Sequence, residues 1–324
     1  MGEFELIDRF FKRPVQRNAL GVGDDCALLA PAQGMQLAVS CDMLVEGRHF
    51  FPDVNPFTLG HKALAVNLSD LAACGARPLA FTLALALPRA DAAWLEPFSR
   101  GLLALADAHG CELVGGDTTR GPRTICITVF GEVPAGQALL RSGARAGDDL
   151  WVSGTLGDAR IALEVLRGTL QAPAAVFDAA RVRLEQPTPR VGLGQALRGL
   201  ATAAIDVSDG LLGDLGHILR QSGVGATVET VLAMELIAYG GHSTGAAGQL
   251  SAEVQLECVL AGGDDYELAF TAPAAQRAAV QAAAAEAGTR VTRIGRIEAE
   301  PGLRLVDAQG APLQRRYASF DHFA

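Results

Sequence analysis

The chain lacks the features by which several protein classes announce themselves. It has no Cys-x-x-Cys pair: Cys26, Cys41, Cys74, Cys111, Cys126 and Cys258 are scattered over 324 residues. A chain of this length needs no disulfide staples, so the six read as reduced thiols of a cytoplasmic protein. It has no Lys/Arg run, and 27 basic against 36 acidic residues leave a formal charge of −9. That balance excludes a basic nucleic-acid or anionic-membrane footprint as the main purpose. It also means that an anionic ligand needs something other than bulk protein charge to neutralise it. Long apolar runs are missing too, since the stretch Leu79–Leu87 sits between Pro78 and Pro88 and is too short to span a bilayer. The start, Met1-Gly2-Glu3-Phe4-Glu5, is acidic and has no apolar h-region, which predicts no signal peptide. Leu6 stands where the myristoylation pattern wants Ser or Thr. A soluble protein is expected.

What is present reads as two folded domains, because 49% hydrophobic residues over this length exceed what one core usually encloses. Leu37–Asp42 alternates as a strand does, and a helix is expected over about 57–74, closed by Gly75 and Pro78. Residues 79–87 and 124–133 read as buried strands with a helix near 91–109 between them. Cys111–Val114 reads as a short strand running into Gly115-Gly116-Asp117. Turn residues at 134–147 place the domain boundary near 140, giving domains 1–140 and 141–324. In the second half, strands are expected at 149–153, 203–207 and 254–260, and helices after 157, over 174–185 and from Leu211. The Ala-rich tract 273–287 suits a surface helix, with Pro273 in its first turn and Gly288 as its stop. Strands and helices mix without strict βαβ alternation, so the fold class is α+β. A weak internal echo pairs Leu113-Val114-Gly115-Gly116-Asp117 with Leu260-Ala261-Gly262-Gly263-Asp264, each read as a strand ending in two glycines and an acid.

The acids fall in a pattern. Asp24 and Asp25 follow Gly21-Val22-Gly23, Asp42 ends a strand, and Asp117 follows a Gly-Gly pair. Asp206 and Asp209 bracket Val207-Ser208, and Asp264-Asp265 follow a second Gly-Gly pair. Each alone is also ordinary turn chemistry. Together, five sites at glycine-flanked strand ends suit hard cations, Mg²⁺ or Ca²⁺, better than zinc. No EF-hand loop is among them. Asp70 shares a helix face with Ala63, Asn67 and Cys74, surrounded by apolar neighbours. It is either paired or metal-holding on a buried face, or it sits on a solvated face with Lys62 and Ser69. Ser208-Asp209-Gly210 reads as a helix N-cap that could also meet phosphate. Ser153-Gly154-Thr155-Leu156-Gly157-Asp158 lacks the Lys-Ser/Thr of a P-loop and is expected to be a structural turn. Arg120 and Arg141 lie near the glycine-rich loops and could meet a phosphate. His49 has no Ser/His/Asp or Cys/His signature around it. Since carboxylates repel phosphates, several Mg²⁺ ions bridging them to a polyphosphate would reconcile the pattern, and phosphoryl transfer is the chemistry that needs this.

At these residues the sequence resembles the thiamine-monophosphate kinases of the aminoimidazole ribonucleotide synthetase-like superfamily. The likeness runs through Gly2-Glu3-Phe4, Gly21–Ala27, Lys62–Ala73, Gly115–Gly121, Arg141–Ala144, Ile205–Leu211, Gly262–Leu268 and Asp321-His322-Phe323. It implies transfer of the ATP γ-phosphoryl group to thiamine monophosphate, the last step of thiamine diphosphate synthesis, without a phosphoenzyme. It implies an N-terminal sheet-and-helix domain that binds ATP and Mg²⁺ and pairs in a homodimer, and a C-terminal mixed α/β sandwich that completes the active site. By position, Asp25, Ser40, Cys41, Asp42, Asp70, Asp117, Asp206 and Asp209 would hold Mg²⁺, with Asp42, Asp117 and Asp209 in the catalytic role. Gly116, Asp117, Arg141 and Ser208 would contact ATP, and His49, Asp264 and Phe320 the thiamine phosphate. Cys41 stands where Thr is common, so a contact there comes from the backbone; Asp264 replaces a Glu, and Phe320 a Tyr- or Trp-like residue. Selenophosphate synthetase is disfavoured because no reactive Cys-Lys pair occurs near the start, and the hydrogenase maturation factor because the chain ends Phe323-Ala324 and not in Cys. A nucleotide-binding module without turnover is the competing reading from another class.

Overall fold

The computed structural model describes residues 2–17, 20–23, 25–238, 250–315 and 317. They divide into two compact units, Met1–Leu71 with Ala76–Gly136, and Ala72–Gly75 with Gln137–Ala324.

The first unit begins with helix α1 (Glu3–Phe10) and strand β1 (Met35–Val45). Helix α2 (Pro56–Ala73) follows with proline at its first position, where a missing N–H is harmless. Then come β2 (Arg77–Leu87), α3 (Ala92–His109), β3 (Glu112–Arg120) and β4 (Thr124–Pro134). Asp91 caps α3 by accepting the Ala93 N–H at 3.1 Å, and Gly110 ends it at a φ of 57°. The strands order as β1-β4-β2-β3, parallel between β2 and β3 and antiparallel elsewhere. Helices α2 and α3 cross at bare backbone: a Cβ on Gly60 would strike the Phe98 carbonyl, and one on Gly101 the Phe57 carbonyl. This contact seats α2, which carries Asn67 and Asp70.

Alternation gives β1 two different faces. Ser40, Asp42 and Leu44 look toward α2, beside buried Ile125, Ile127 and Val129 of β4. The odd-numbered residues look the other way. Near β2 and β3 that other face is covered, where Val15, Ala27 and Leu29 pack on Leu79, Ala80, Val114 and Phe130. Leu37, Val39 and Met43 are 46%, 58% and 54% exposed.

The second unit builds one six-stranded sheet from β5 (Asp148–Ser153), β6 (Ala203–Val207), β7 (Gly225–Glu229), β8 (Glu267–Pro273), β9 (Val291–Glu298) and β10 (Gly302–Val306). Its order is β10-β7-β9-β5-β8-β6, with only β10 and β7 parallel. The helices α4 (Asp158–Leu166), α5 (Ala174–Glu185), α6 (Val191–Ala196), α7 (Leu211–Ser222), α8 (Thr230–Ala233), α9 (Ala252–Ala261) and α10 (Arg277–Glu286) complete it. Leu150, Val152, Ile205 and Val207 from the sheet meet Ile161, Leu211, Leu215, Ile218 and Val259 from the helices in one core.

Three sequence expectations are corrected. Residues 254–260 are not a strand but the body of α9, started by the Ser251 side chain accepting the Val254 N–H at 3.3 Å. Val254-Gln255-Leu256-Glu257-Cys258 alternates apolar and polar as a strand does, whereas exposed Glu253 and Glu257, one helical turn apart, carry the helical period. The strand after Cys111 does not stop at Gly115-Gly116 but continues to Arg120, because one extra residue in β3, Val114 between the Phe81–Leu113 and Thr82–Gly115 pairs, and a φ of 148° at Gly116 let the ladder resume. The echo between the two Gly-Gly-Asp segments therefore joins a strand interior to a helix end. Ser208 does not cap α7 either; Gly210 holds the N-cap position, at φ 117°.

Candidate functional site

In the first unit, the Ser40 hydroxyl donates to an Asp70 carboxylate oxygen at 2.5 Å. One turn earlier on α2, the Asn67 side-chain oxygen accepts the Asp42 backbone N–H at 3.0 Å, while its amide donates to the Ala63 carbonyl at 3.0 Å. So β1 and α2 are latched twice, and the Ser40 hydroxyl and the Asp42 and Asp70 carboxylates gather at that latch. The helix face is not the solvated one that Lys62 and Ser69 suggested as an alternative, since both are buried. Asp25 lies exposed before β1, and Asp117 lies exposed in β3 opposite Ala84. Among the described residues no three His, Cys, Asp or Glu side chains form a ready metal cage.

Cys41 points away from Ser40 and Asp42 by strand alternation. Its sulfur lies 3.4 Å from that of Cys126, which burial first and the Cys41 contact second push up to about 11. The thiol is thus turned away from the carboxylates. Gly116 is obligatory: a Cβ there would overlap the Leu83 carbonyl. His49 Nδ1 accepts the Val45 N–H at 3.0 Å, which leaves the proton of a neutral ring on Nε2.

In the second unit, Asp206 is buried in β6 opposite Leu268, and Ser208 and Asp209 sit half-buried beyond the strand end. The amide N–H groups of Ser208, Asp209 and Gly210 all point at one carboxylate oxygen of Asp214, at 3.0, 3.0 and 3.2 Å. Burial pushes Asp214 up to about 6 despite these bonds. The loop 262–266 is tied to the same place: Asp264 N–H donates to the Ser208 carbonyl at 2.8 Å and Tyr266 N–H to the Val207 carbonyl at 2.9 Å. Asp264 and Tyr266 hold positive φ of 63° and 53°, a left-handed backbone uncommon outside glycine. The Tyr266 hydroxyl donates to Asp264 at 3.1 Å. Arg141 is exposed; its carbonyl and the Gly143 and Ala144 amides meet the Ser222 hydroxyl at 3.4, 3.1 and 3.2 Å, fastening that segment to the end of α7. Partial burial, then the Arg220 and Arg141 charges, hold His217 below the usual histidine range. Phe320 lies outside the described residues.

Behind loop 262–266 is a buried ionic cluster. Glu267, fully buried, accepts from Arg183 at 2.6 Å, from Arg190 at 2.6 and 2.5 Å and from the Ser153 hydroxyl at 2.5 Å. Asp265, 1% exposed, accepts the Gly157 N–H with both oxygens and is held well above its ordinary value by burial. The segment 153–158 is thus a structural turn serving these acids. Asp158 accepts the Ala238 N–H at 3.2 Å, has its other oxygen buried without a partner, and is pushed by burial from 3.8 up to about 6. Its folded value lies above the unfolded one, so its ionised form costs stability, fully above about pH 6 and less as pH falls toward 4. Asp158→Asn is therefore expected to raise Tm, with a gain larger at pH 8 than at pH 5, read by thermal melts across that range.

Sequence reasoning missed Asn67 as the Asp42 anchor, and Asp214, Glu267, Arg183 and Arg190; Asp265, grouped there with acids suited to cations, is instead a buried acceptor of the Gly157 N–H. The signal for Asp214 was an acid in the first turn of the helix that follows Ser208-Asp209-Gly210.

The AIR synthase related protein N-terminal domain family matches residues 23–133, and its C-terminal domain family matches 145–308. The thiamine-monophosphate kinase of Salmonella typhimurium is 47% identical over 330 residues, spanning 100% of this chain and 98% of that protein. The thiamine-monophosphate kinase structure from Stenotrophomonas maltophilia K279a superposes with a TM-score of 0.82 at 47% identity, covering 93% of this chain and 94% of that one. AaThiL complexed with AMPPCP and TMP gives a TM-score of 0.73 at 27% identity, covering 99% and 96%. Two mixed sheets flanked by helices, matched end to end in this way, make the fold the AIR synthase-like α+β fold, and the chain belongs to the thiamine-monophosphate kinase family.

Proposed function

We propose that the chain phosphorylates thiamine monophosphate with ATP, giving thiamine diphosphate and ADP. A terminal phosphate oxygen of the acceptor attacks the γ-phosphorus as the bond to the β–γ bridging oxygen breaks. The observation that carries the chemistry is the Ser40–Asp70 contact with Asp42 alongside, a set of hard oxygen donors on two latched elements. The full-length likeness to thiamine-monophosphate kinases supports the substrate. Cys111, Cys126 and Cys258 are disfavoured as nucleophiles, since burial pushes Cys111 and Cys258 up to about 12 and Cys126 up to about 11.

The donor set fits Mg²⁺, which takes one or two carboxylates and completes its shell with water and phosphate oxygens; a closed cage is not needed. Asp25, Ser40, Asp42, Asp70 and Asp117 of residues 1–140 would supply it, the Cys41 backbone adding an oxygen, as would Asp206 and Asp209 of residues 141–324. Bound Mg²⁺ neutralises the triphosphate charge that carboxylates repel and orients it for in-line transfer. Gly116, Asp117, Arg141 and Ser208 receive the nucleotide, and His49, Asp264 and Phe320 the thiamine phosphate. In an ADP-release assay, turnover with thiamine monophosphate and none with thiamine is the expected result. ATP binding without turnover on any phosphate acceptor would favour the non-enzymatic module. The six free thiols fit a cytoplasmic enzyme.

We also infer a homodimer formed through the odd-numbered face of β1. Leu37, Val39 and Met43 are an exposed apolar row on an edge strand, which a lone domain rarely leaves open. Val39→Asp is expected to convert a dimer to monomer in light scattering, since a desolvated carboxylate at the seam costs several kcal/mol, roughly 2–5. A wild-type monomer at micromolar concentration would contradict this.

A further inference from the structure

The loop 206–210 carries Asp206, Ser208 and Asp209, three of the residues proposed for the nucleotide and its cations. Its backbone has an unusual conformation. Gly210 sits at φ 117° and ψ 141°, and a Cβ there would press on the Ala261 backbone at 2.9–3.1 Å. Such a turn persists only where its surroundings over-determine it. Its carbonyls are engaged, that of Val207 by Tyr266 and that of Ser208 by Asp264. Its amides are engaged by Asp214. Three successive N–H groups converging at a helix start would otherwise make a nest for an external anion. Here the chain's own carboxylate fills it, so the triphosphate has no claim on those amides. What remains of the loop for a ligand are side chains, those of half-buried Ser208 and Asp209.

We infer that Asp214 is the positioning residue of this loop: by taking the Ser208, Asp209 and Gly210 amides on one oxygen, it presets where the Ser208 hydroxyl and Asp209 carboxylate are presented to Mg²⁺ and ATP. Buried inside the first turn of α7, it acts through them and not on substrate. A carboxylate is the strongest acceptor for three amides and is favoured by the helix dipole at that end.

The inference rests on the kinase reading, and the test separates the two. AMPPCP binding in Mg²⁺ by calorimetry and steady-state constants are compared for wild type, Asp214→Ala and Asp214→Asn, with circular dichroism for folding. Asp214→Ala is expected to weaken AMPPCP binding and raise KM for ATP by about tenfold or more, since small misplacements of positioning groups have effects of that order. KM for thiamine monophosphate should move much less. Asp214→Asn keeps an oxygen acceptor of the same size and should recover most of the loss. A folded Asp214→Ala with wild-type AMPPCP affinity, or an Asp214→Asn no better than alanine, overturns the inference. A wild type that binds AMPPCP yet never phosphorylates thiamine monophosphate overturns the kinase reading alone. Should the alanine variant not fold, hydrogen exchange on the wild type decides. Slow exchange at 208–210 before nucleotide is added supports presetting, and exchange that slows only on Mg²⁺–AMPPCP binding refutes it.

Discussion

Asp42→Ala is expected to lower kcat/KM by about a hundredfold or more, on the scale of removing one charged group from a polar transition-state site. The fold should survive. The latch that holds this part of β1 uses the Asp42 backbone N–H, which alanine retains, and the Ser40–Asp70 bond lies two residues away. The carboxylate is only half-buried, so its removal leaves no core cavity. ADP release measured across an Mg²⁺ titration, together with a thermal melt, separates the two effects. Near-normal turnover at moderate Mg²⁺ would remove Asp42 from the catalytic set. A melt lowered in proportion to activity would make its role structural.

The second large effect is on stability. Glu267 is the common partner of Arg183 and Arg190, and the pairing is buried. Burial works against the Arg190 charge, yet the Glu267 bond and charge more than offset it and hold that guanidinium above its ordinary value. Glu267→Ala removes the partner and leaves two guanidinium groups in low dielectric, with the Ser153 hydroxyl short of an acceptor as well. Breaking a buried pair in this way costs about 3–5 kcal/mol, or a fall of roughly 10 °C in Tm for a unit of this size. Denaturant unfolding followed by far-UV dichroism measures it. Glu267→Gln, which keeps oxygen and shape but loses the charge, should fall between. A loss under about 1 kcal/mol for the alanine variant, the range of an exposed pair, would show that the cluster is solvated in solution.

The parts of this protein legible in the sequence are those governed by local patterns. Alternation over 37–42 exposed β1, the run 57–74 exposed α2, and Gly75 and Gly110 mark real helix ends. The Ser40, Asp42 and Asp70 grouping was legible only through family likeness, because a strand and a helix 30 residues apart share no local period. The Arg190–Glu267 pair spans 77 residues and the Cys41–Cys126 contact 85, so neither leaves a spacing signal. Asp214 was passed over because it reaches back beyond the first helical turn to three amides, whereas a capping box places its acid one position earlier in the helix and returns to one. Residues 254–260 read as a strand because Val254-Gln255-Leu256-Glu257-Cys258 alternates with a period of two, although the segment folds as a helix with Glu253 and Glu257 exposed on one side.

Strand β1 runs eleven residues in unbroken register against β4. Its parity is therefore a code with two messages, the Asp42 acid and the Ser40 hydroxyl on even numbers, an apolar row on odd. Point changes edit one message and leave the other intact. Inserting or deleting one residue between 36 and 44 would transpose them, sending Asp42 to the exposed apolar face and Val39 or Met43 toward α2. Chimeras built from related kinases should be spliced outside 35–45, because length there is constrained more tightly than identity.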